Sequence, residues 1–123
     1  MSHIFECKAD IKDTDMLHNA LEALKKEGKL DYEWLGQGTE QSYSRKTTGT
    51  HFKLSKWNYP VCVCEDGSIQ FDNYNGHWGK PIDLDMVIQR YQEMQIIRKA
   101  RENGWQVDKV TASNGDVTLN LTR

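Results

Sequence analysis

The stretch that decides the fold is residues 61–71, Val61-Cys62-Val63-Cys64-Glu65-Asp66-Gly67-Ser68-Ile69-Gln70-Phe71. Asp66-Gly67 lies between two extended runs and is typical of a tight type I′ turn, because both central positions of that turn need positive φ. The first arm runs from Val61 to Cys64, and the second from Ser68 to Asn73 with Ile69 and Phe71 on one face. The stretch therefore predicts an antiparallel hairpin.

Alternation of apolar and polar residues predicts three further strands before this hairpin, at 2–11, 30–34 and 50–55. A helix is predicted over 14–28, because Asp13 can cap it and Gly28 can end it. Its apolar stripe consists of Leu17, Ala20, Leu21 and Leu24. The polar and glycine-containing segment 36–42 is predicted to be a loop.

The longest helical pattern follows the hairpin and covers about 83–103, with Asp83 or Asp85 as its cap and Gly104 as its end. One apolar stripe contains Leu84, Val87, Ile88, Tyr91 and Met94, but the next position of that stripe is occupied by the charged residue Arg98. The second half is therefore expected to meet a different neighbour, with Ile96 and Ile97 as possible contact residues for another chain.

A closing hairpin is predicted around Ser113-Asn114-Gly115-Asp116, with Ala112 opposite Val117 and Val110 opposite Leu119. The complete order is then β-α-β-β-β-β-α-β-β. This order predicts an α+β fold in which a mostly antiparallel sheet carries two helices packed on one face. The 123 residues contain no long linker, so one domain over residues 1–123 is expected.

Composition disfavours several classes of partner. The chain has 16 Lys and Arg residues and 18 Asp and Glu residues, and the formal net charge of −2 disfavours nucleic-acid binding. No apolar run is long enough to cross a bilayer, and the N-terminus has no signal-peptide pattern. An odd count of three cysteines does not make a disulfide framework. A cytoplasmic, reducing environment and no membrane association are therefore expected.

Two parts of the sequence carry a family likeness. Near the start, Met1-Ser2-His3 opens a strand and is followed by a helix with Leu17, Ala20 and Leu21. Near the end come Ile88-Gln89-Arg90-Tyr91, Gly104-Trp105-Gln106-Val107, the turn Asn114-Gly115-Asp116, Leu119 and Thr122-Arg123. These parts resemble domain-of-unknown-function family 1257, which includes the hypothetical chloroplast open reading frame 35 proteins of red-algal plastids and cyanobacteria.

The resemblance covers about half of the residues, and the middle segment 36–80 departs from it. It supports the α+β fold and supplies no catalytic residues. Genes of this family often lie beside genes for AAA-class ATPases, so the resemblance implies a partner role with such an ATPase. It also implies the plastid stroma as the location if the chain is plastid-encoded.

The cysteines are the main candidates for chemistry. Cys62 and Cys64 lie two residues apart in a predicted strand and so share a face, and Cys7 lies on another strand. With a histidine such as His3 they could surround zinc, or they could serve redox chemistry. Packing of small buried thiols is the simpler interpretation, because metal knuckles generally use a two-residue spacer within a turn. No cofactor is predicted.

Histidines and acids give no catalytic grouping. The four histidines, His3, His18, His51 and His77, have no metal-binding spacing and are expected at the surface or at an edge. The acid pairs at the two helix starts are explained by capping. We therefore predict no catalytic residue.

Two segments could bind a ligand. The loop 74–80 contains His77 and Trp78 among glycines and a lysine, so it could form the lip of a small-ligand or enzyme site, or simply pack its own aromatic rings. The basic and aromatic stretch 44–59, which includes Trp57, could bind single-stranded nucleic acid, although a solvated loop is the simpler interpretation.

The first hypothesis for function is a non-enzymatic interaction or accessory protein that docks on a partner or on a second copy of itself. It is motivated by four Trp and five Tyr residues without a catalytic grouping. A ligand binder or enzyme using 74–80, and a weak nucleic-acid binder using 44–59, are the alternatives. The interface candidates are His77, Trp78, Trp57, Arg98, Ile96 and Ile97.

Overall fold

A computed structural model of the chain describes residues 5–7, 9–42 and 45–123, with the backbone alone described at 5–7 and at Asn75. The elements are β1 (Phe5–Cys7), α1 (Thr14–Lys26), β2 (Tyr32–Gln41), β3 (Lys46–Leu54), β4 (Val61–Val63), β5 (Ile69–Phe71), a 3-10 turn (Tyr74–Gly76), α2 (Pro81–Glu102), β6 (Gln106–Thr111) and β7 (Val117–Thr122). The predicted α+β class and the predicted order of strands and helices are confirmed.

The chain divides into two compact units, residues 1–91 and 92–123, and α2 contributes residues to both. The first unit holds a five-stranded antiparallel sheet in the order β1-β5-β4-β3-β2. The second unit holds the two-stranded sheet β6-β7 together with the end of α2. The expectation of one domain over 1–123 stays a prediction.

The predicted hairpin, β4 and β5, lies inside the five-stranded sheet, with β3 on one side and β1 on the other. Phe52 pairs with Val61, and Val63 pairs with Ile69, so these apolar side chains share one face. All four are buried. Burial of a side chain of this size stabilises the fold by roughly 1.5–3 kcal/mol, so this face anchors the first unit.

Helix α1 covers this face with the stripe that the sequence predicts, since Leu17, Ala20, Leu21 and Leu24 are all buried. The helix begins where the Asp13 side chain accepts a hydrogen bond from the Met16 amide at 3.0 Å. It ends at Lys26, two residues before the predicted end.

The first half of α2 lies beside α1. The amide of Asp13 donates to the hydroxyl of Tyr91 at 3.1 Å, and the Arg90 guanidinium forms two hydrogen bonds of 2.5 and 2.8 Å with the Glu27 carboxylate. The helix starts at Pro81 rather than at 83. Proline is favoured at the first helical position because its fixed φ suits the helix and its missing N–H is not needed there.

The predicted loop over 36–42 is wrong, because β2 continues to Gln41 and pairs with β3 along its whole length. The register shifts between Trp34 and Gly36, so Leu35 is an extra residue in a β-bulge. Beyond the bulge, polar side chains pair across the strands. Thr50 donates to Gln37 at 3.1 Å, and the hydroxyls of Thr39 and Thr48 lie 3.0 Å apart. The same pairing moves the start of β3 from the predicted residue 50 to Lys46.

Both hairpin turns differ from the predicted geometry. Gly67 and Gly115 have positive φ, but Asp66 and Asn114 do not, so neither turn is type I′. The loops hold three residues each, 65–67 and 113–115, closed by the hydrogen bonds Cys64 N to Ser68 O and Ala112 N to Asp116 O, both 2.8 Å. This is the turn type in which glycine forms a bulge at the third position.

The three-residue loop changes the register of the closing hairpin. Val117 pairs with Thr111 and not with Ala112, and Leu119 pairs with Lys109 and not with Val110. The predicted pairs were therefore wrong by one residue on one strand.

The first strand is shorter than the predicted 2–11. It covers Phe5–Cys7, whereas residues 1–4 and 8 lie outside the described residues. Asp10 has a φ of 54°, and Ile11 donates its amide to the carbonyl of Gly67 at 2.8 Å, so the chain turns toward the hairpin loop after β1. Neither helix within the described ranges has the length and apolar character needed to cross a bilayer.

Gly38 and Gly49 face each other across β2 and β3, and they provide a matched test of close packing. A Cβ on Gly49 would lie 2.4 Å from the Val63 carbonyl oxygen and 2.9 Å from Cys62 Sγ, whereas a Cβ on Gly38 would meet no described atom within 4 Å. The two φ angles are similar, 154° and 159°. We expect Gly49→Ala to lower the free energy of unfolding by about 1–3 kcal/mol more than Gly38→Ala. Urea denaturation followed by tryptophan fluorescence measures both values, and equal losses would contradict the close approach.

The Glu27 and Arg90 pair predicts a stability change at low pH. The hydrogen bonds from Arg90, with a smaller contribution from Lys29, lower the pKa of Glu27 from 4.5 to about 2. The pair therefore stabilises the fold above about pH 4.5, and this stabilisation is lost as the pH falls toward 2. Because the Glu27 side chain is 40% exposed, we expect at most about 1 kcal/mol.

The free energy of unfolding at pH 3 and at pH 6 tests this prediction. Arg90→Gln should reduce the difference between the two values, and Glu27→Gln should reduce it somewhat more, because it also removes the smaller contribution of Lys29. An unchanged difference in Arg90→Gln would show that the pair does not act in solution.

Candidate functional site

The loop 74–80 packs its aromatic rings on one another. The rings of Tyr74 and Trp78 are stacked with centroids 4.8 Å apart, Tyr59 meets Trp78 edge-on at 5.5 Å, and Tyr74 lies 5.1 Å from His77. His77 is exposed and Trp78 is half-buried. Neither of the two cavities described below is lined by residues of this loop. The geometry therefore favours the packing interpretation over a ligand lip.

Trp57 is a core residue and not an accessible aromatic platform. Its side chain is only 2% exposed, and its ring lies 5.9 Å from that of Phe71. A Cβ on Gly79 would lie 2.3 Å from the Trp57 ring, so this glycine lets the loop close over the indole. The prediction of Trp57 as an interface residue is wrong, because a base or a partner side chain cannot reach it. Trp57 is therefore not accessible for stacking on a base, which removes one support for nucleic-acid binding by residues 44–59. Ser44 lies outside the described residues.

The second unit presents a cleft between the end of α2 and its hairpin. Its volume is about 340 Å³, and its lining is Ile96, Lys99, Ala100, Asn103, Trp105, Leu121 and Arg123. We call this the apolar cleft. Ile96 and Leu121 are 51% and 44% exposed, whereas Ile97 is half-buried and Arg98 is exposed outside the cleft.

Two contacts within the second unit lie at or near the apolar cleft: one joins α2 to β6, and the other joins Arg123 to Trp105. Lys109 on β6 forms an ion pair with Glu93 on α2, and Glu93 is a buried residue. The guanidinium of Arg123 lies over the Trp105 ring, 4.7 Å from its centroid, which is a cation-π geometry. Trp105 was not among the predicted interface residues. Its position just after the helix-ending Gly104 and directly before an alternating strand was the signal that could have identified it.

The first unit contains a more polar cleft of about 480 Å³ near the start of α1. Hydroxyl and amide groups come from Thr14, Thr48, Thr50 and Gln37, charges from Lys12 and Glu65, and a thiol from Cys64, with Ile11, Gly49 and Val63 completing the lining. We call this the polar cleft. It lies where β2 and β3 extend beyond the apolar part of the sheet, so the pairing of residues 36–41 with β3 forms one of its walls.

Cys62 and Cys64 share a face, as their spacing predicts, and their side chains are hydrogen-bonded to each other. Cys62 is fully buried, whereas Cys64 is half-buried and lines the polar cleft. Burial is the main cause that raises the pKa of the Cys62 thiol to about 12, and the neighbouring Cys64 adds to it. The two thiols therefore differ strongly in access.

His51 lies on the same face as Cys62, because the two residues are paired across β3 and β4. Its Nε2 is 3.0 Å from the hydroxyl of Thr47, which is also hydrogen-bonded to Cys62. The His51 side chain is completely buried, and its Nδ1 has no hydrogen-bond partner in the described part of the chain. The expectation of a surface or edge position is wrong for His51, because β3 is an inner strand of the sheet.

A metal site was the alternative interpretation of the cysteines. Across residues 5–7, 9–42 and 45–123, no three His, Cys, Asp or Glu side chains form a group that could hold a metal ion. His3 lies outside the described residues, and of Cys7 only the backbone is described, opposite Ile69. Cys62 and Cys64 together supply two of the three or four ligands that a zinc site needs.

Comparison of the chain with protein-family models, with curated proteins and with solved structures gives no match. What the protein does is therefore inferred from its own residues.

The difference between the two thiols predicts their order of alkylation. Iodoacetamide at neutral pH should modify Cys64 in the folded protein, whereas Cys62 should react only after unfolding, because burial and a raised pKa both suppress its thiolate. Mass spectrometry of the fragment covering residues 57–80 before and after denaturation measures the order. Cys64→Ser provides the control, since it should leave this fragment unmodified in the native state. Modification of Cys62 first would contradict the described burial.

Proposed function

We propose that this chain is a non-enzymatic protein-interaction factor that binds an acidic segment of another protein, with an apolar side chain of that segment seated in the apolar cleft. The observation that carries the proposal is the cleft itself, in which exposed Ile96 and Leu121 stand beside the indole of Trp105. Half-buried tryptophans surrounded by aliphatic side chains are the residues that contribute most to binding in protein interfaces.

The charge around the apolar cleft supports an acidic partner. Lys99 and Arg123 are its two charged lining residues, and both are cations. An Asp or Glu of the partner placed beside them gains electrostatic attraction, which favours correct orientation and faster association. A basic segment would meet like charges at the same place. The cleft thus selects for an apolar side chain flanked by acids.

The size of the cleft fits one large side chain. A volume of about 340 Å³ lies at the lower end of the range for small-molecule pockets, which is roughly 300–1,000 Å³. It is lined by the last turns of a helix and by strand residues on one side of a hairpin, so a peptide segment can lie along it. This arrangement resembles the grooves that take anchor residues from partner helices.

Ile96 was predicted as a contact residue, and it lines the apolar cleft. Ile97 and Arg98, which were predicted with it, follow it on α2.

The family resemblance suggests an AAA-class ATPase as the first partner to examine, in the cytosol or, for a plastid-encoded chain, in the stroma. A second copy of the chain is the other occupant that the apolar cleft could take.

A photo-crosslinking experiment tests the proposal. A benzophenone side chain replaces Ile96 at the cleft or, as the control, Ile82, which is 64% exposed on α2 within the first unit. We expect the label at 96 to join one partner protein in native lysate through a segment rich in Asp and Glu. The label at 82 should not join that protein. A crosslink from 96 to another copy of this chain, or none at all, would overturn the proposal.

The purified partner segment then allows a quantitative prediction. Trp105→Ala should weaken its binding about thirtyfold, because loss of an aromatic anchor typically costs at least about 2 kcal/mol. Leu121→Ser should weaken it as well, whereas Val110→Ala on the opposite face of the hairpin should not change it. Fluorescence anisotropy measures the dissociation constants, and circular dichroism checks that each variant is folded. Equal affinities of Trp105→Ala and Val110→Ala would contradict the role of the cleft.

A further inference from the structure

We propose that Cys64 and Cys62 form a peroxide-sensing thiol pair, in which a hydroperoxide oxidises Cys64 in the polar cleft and Cys62 then closes a disulfide with it. This site is independent of the apolar cleft, since it lies entirely in the first unit.

The position of the two sulfurs is the first support. Side chains two residues apart in an extended segment point to the same side, and here the two thiols are already hydrogen-bonded to each other. Cys64 lies one residue past the end of β4, at the start of the loop 65–67. A disulfide needs Cα atoms closer than about 7 Å, and this loop can supply the small backbone adjustment without disturbing the inner strands.

The second support is the difference in access. Cys64 is half-buried and belongs to the residues that line the polar cleft, so it has the solvent access that Cys62 lacks. Cys62 is 0% exposed and lies behind Gly49, whose missing side chain leaves room for the thiol. The raised pKa of Cys62 keeps this thiol protonated and unreactive toward solutes. Oxidation can therefore begin at only one of the two thiols.

The third support is a hydrogen-bond donor beside the Cys62 sulfur. Thr47 is hydrogen-bonded both to Cys62 and to Nε2 of His51. The Thr47 hydroxyl donates to the Cys62 sulfur, because this contact lowers the pKa of the thiol, against the larger effect of burial. The single hydroxyl proton is then used, so the Thr47 oxygen accepts from Nε2 of His51. Thr47 thereby stabilises the Cys62 thiolate when this sulfur acts as the nucleophile.

The chemistry balances with one hydroperoxide. The Cys64 thiolate attacks the terminal peroxide oxygen, the O–O bond breaks, an alcohol or water leaves, and Cys64 becomes a sulfenic acid. The Cys62 sulfur then attacks the Cys64 sulfur, the S–O bond breaks, and the departing hydroxide leaves as water with the proton of Cys62. Overall, two thiols and one hydroperoxide give a disulfide, an alcohol or water, and one water.

Mass spectrometry of the folded protein tests the proposal, with Cys7→Ser as the background so that only this pair can react. Treatment with hydrogen peroxide should make the fragment 57–80 lighter by two hydrogens, and dithiothreitol should reverse the change. In Cys62→Ser the product should instead be a sulfenic acid at Cys64, which dimedone traps. Cys64→Ser should show neither product.

A variant of Thr47 separates the chemical role of its hydroxyl from a structural one. Thr47→Val keeps the shape of the side chain and removes the hydroxyl, so dimedone should trap more sulfenic acid at Cys64 while the rate of its formation stays unchanged. Gly38→Ala, whose added Cβ meets no described atom, serves as the matched control and should leave both steps unchanged. A fragment that keeps both hydrogens after peroxide, a first oxidation at Cys62, or disulfides only between chains would overturn the proposal.

Discussion

The close approach of β3 to β4 at Gly49 is the constraint on which the first unit depends. No side chain fits between the Gly49 backbone and the Val63 carbonyl, and the Cys62 sulfur occupies the space beside it. On the opposite face of the same strands, Phe52 and Val61 pair across β3 and β4, and both are buried. On the face that carries Cys62, this residue forms one hydrogen-bonded group with Thr47 and His51. A side chain at Gly49 would therefore disturb both the pairing of the two strands and the position of the Cys62 thiol.

The sequence was sufficient to predict the elements but not their exact pairing. Alternation and helical spacing gave the correct order because these patterns report the burial of each local segment. The extension of β2 to Gln41 was missed because its polar residues and glycines have the composition of a loop, and only pairing with β3 makes them a strand. The turn geometry was missed because Asp-Gly and Asn-Gly fit both the two-residue and the three-residue hairpin loops.

Among the candidate site residues, only those whose position follows from their spacing along a strand or helix could be predicted from the sequence. The i and i+2 spacing of Cys62 and Cys64 was enough to put them on one face. The burial of His51 and Trp57 was not predictable, because each is covered by segments distant in sequence. The apolar cleft was found in part, through Ile96, whereas Trp105 depends on the way the hairpin packs against the end of its own helix.

Strand β2 forms one edge of the five-stranded sheet, so one row of its amides and carbonyls has no neighbouring strand among the described elements. Such a row can template the stacking of identical molecules into fibrils. The bulge at Leu35 bends this edge, and Glu33 and Glu40 bring like charges to it, so two copies meeting edge to edge would repel each other. The bulge and the two carboxylates of β2 therefore act against the growth of such fibrils.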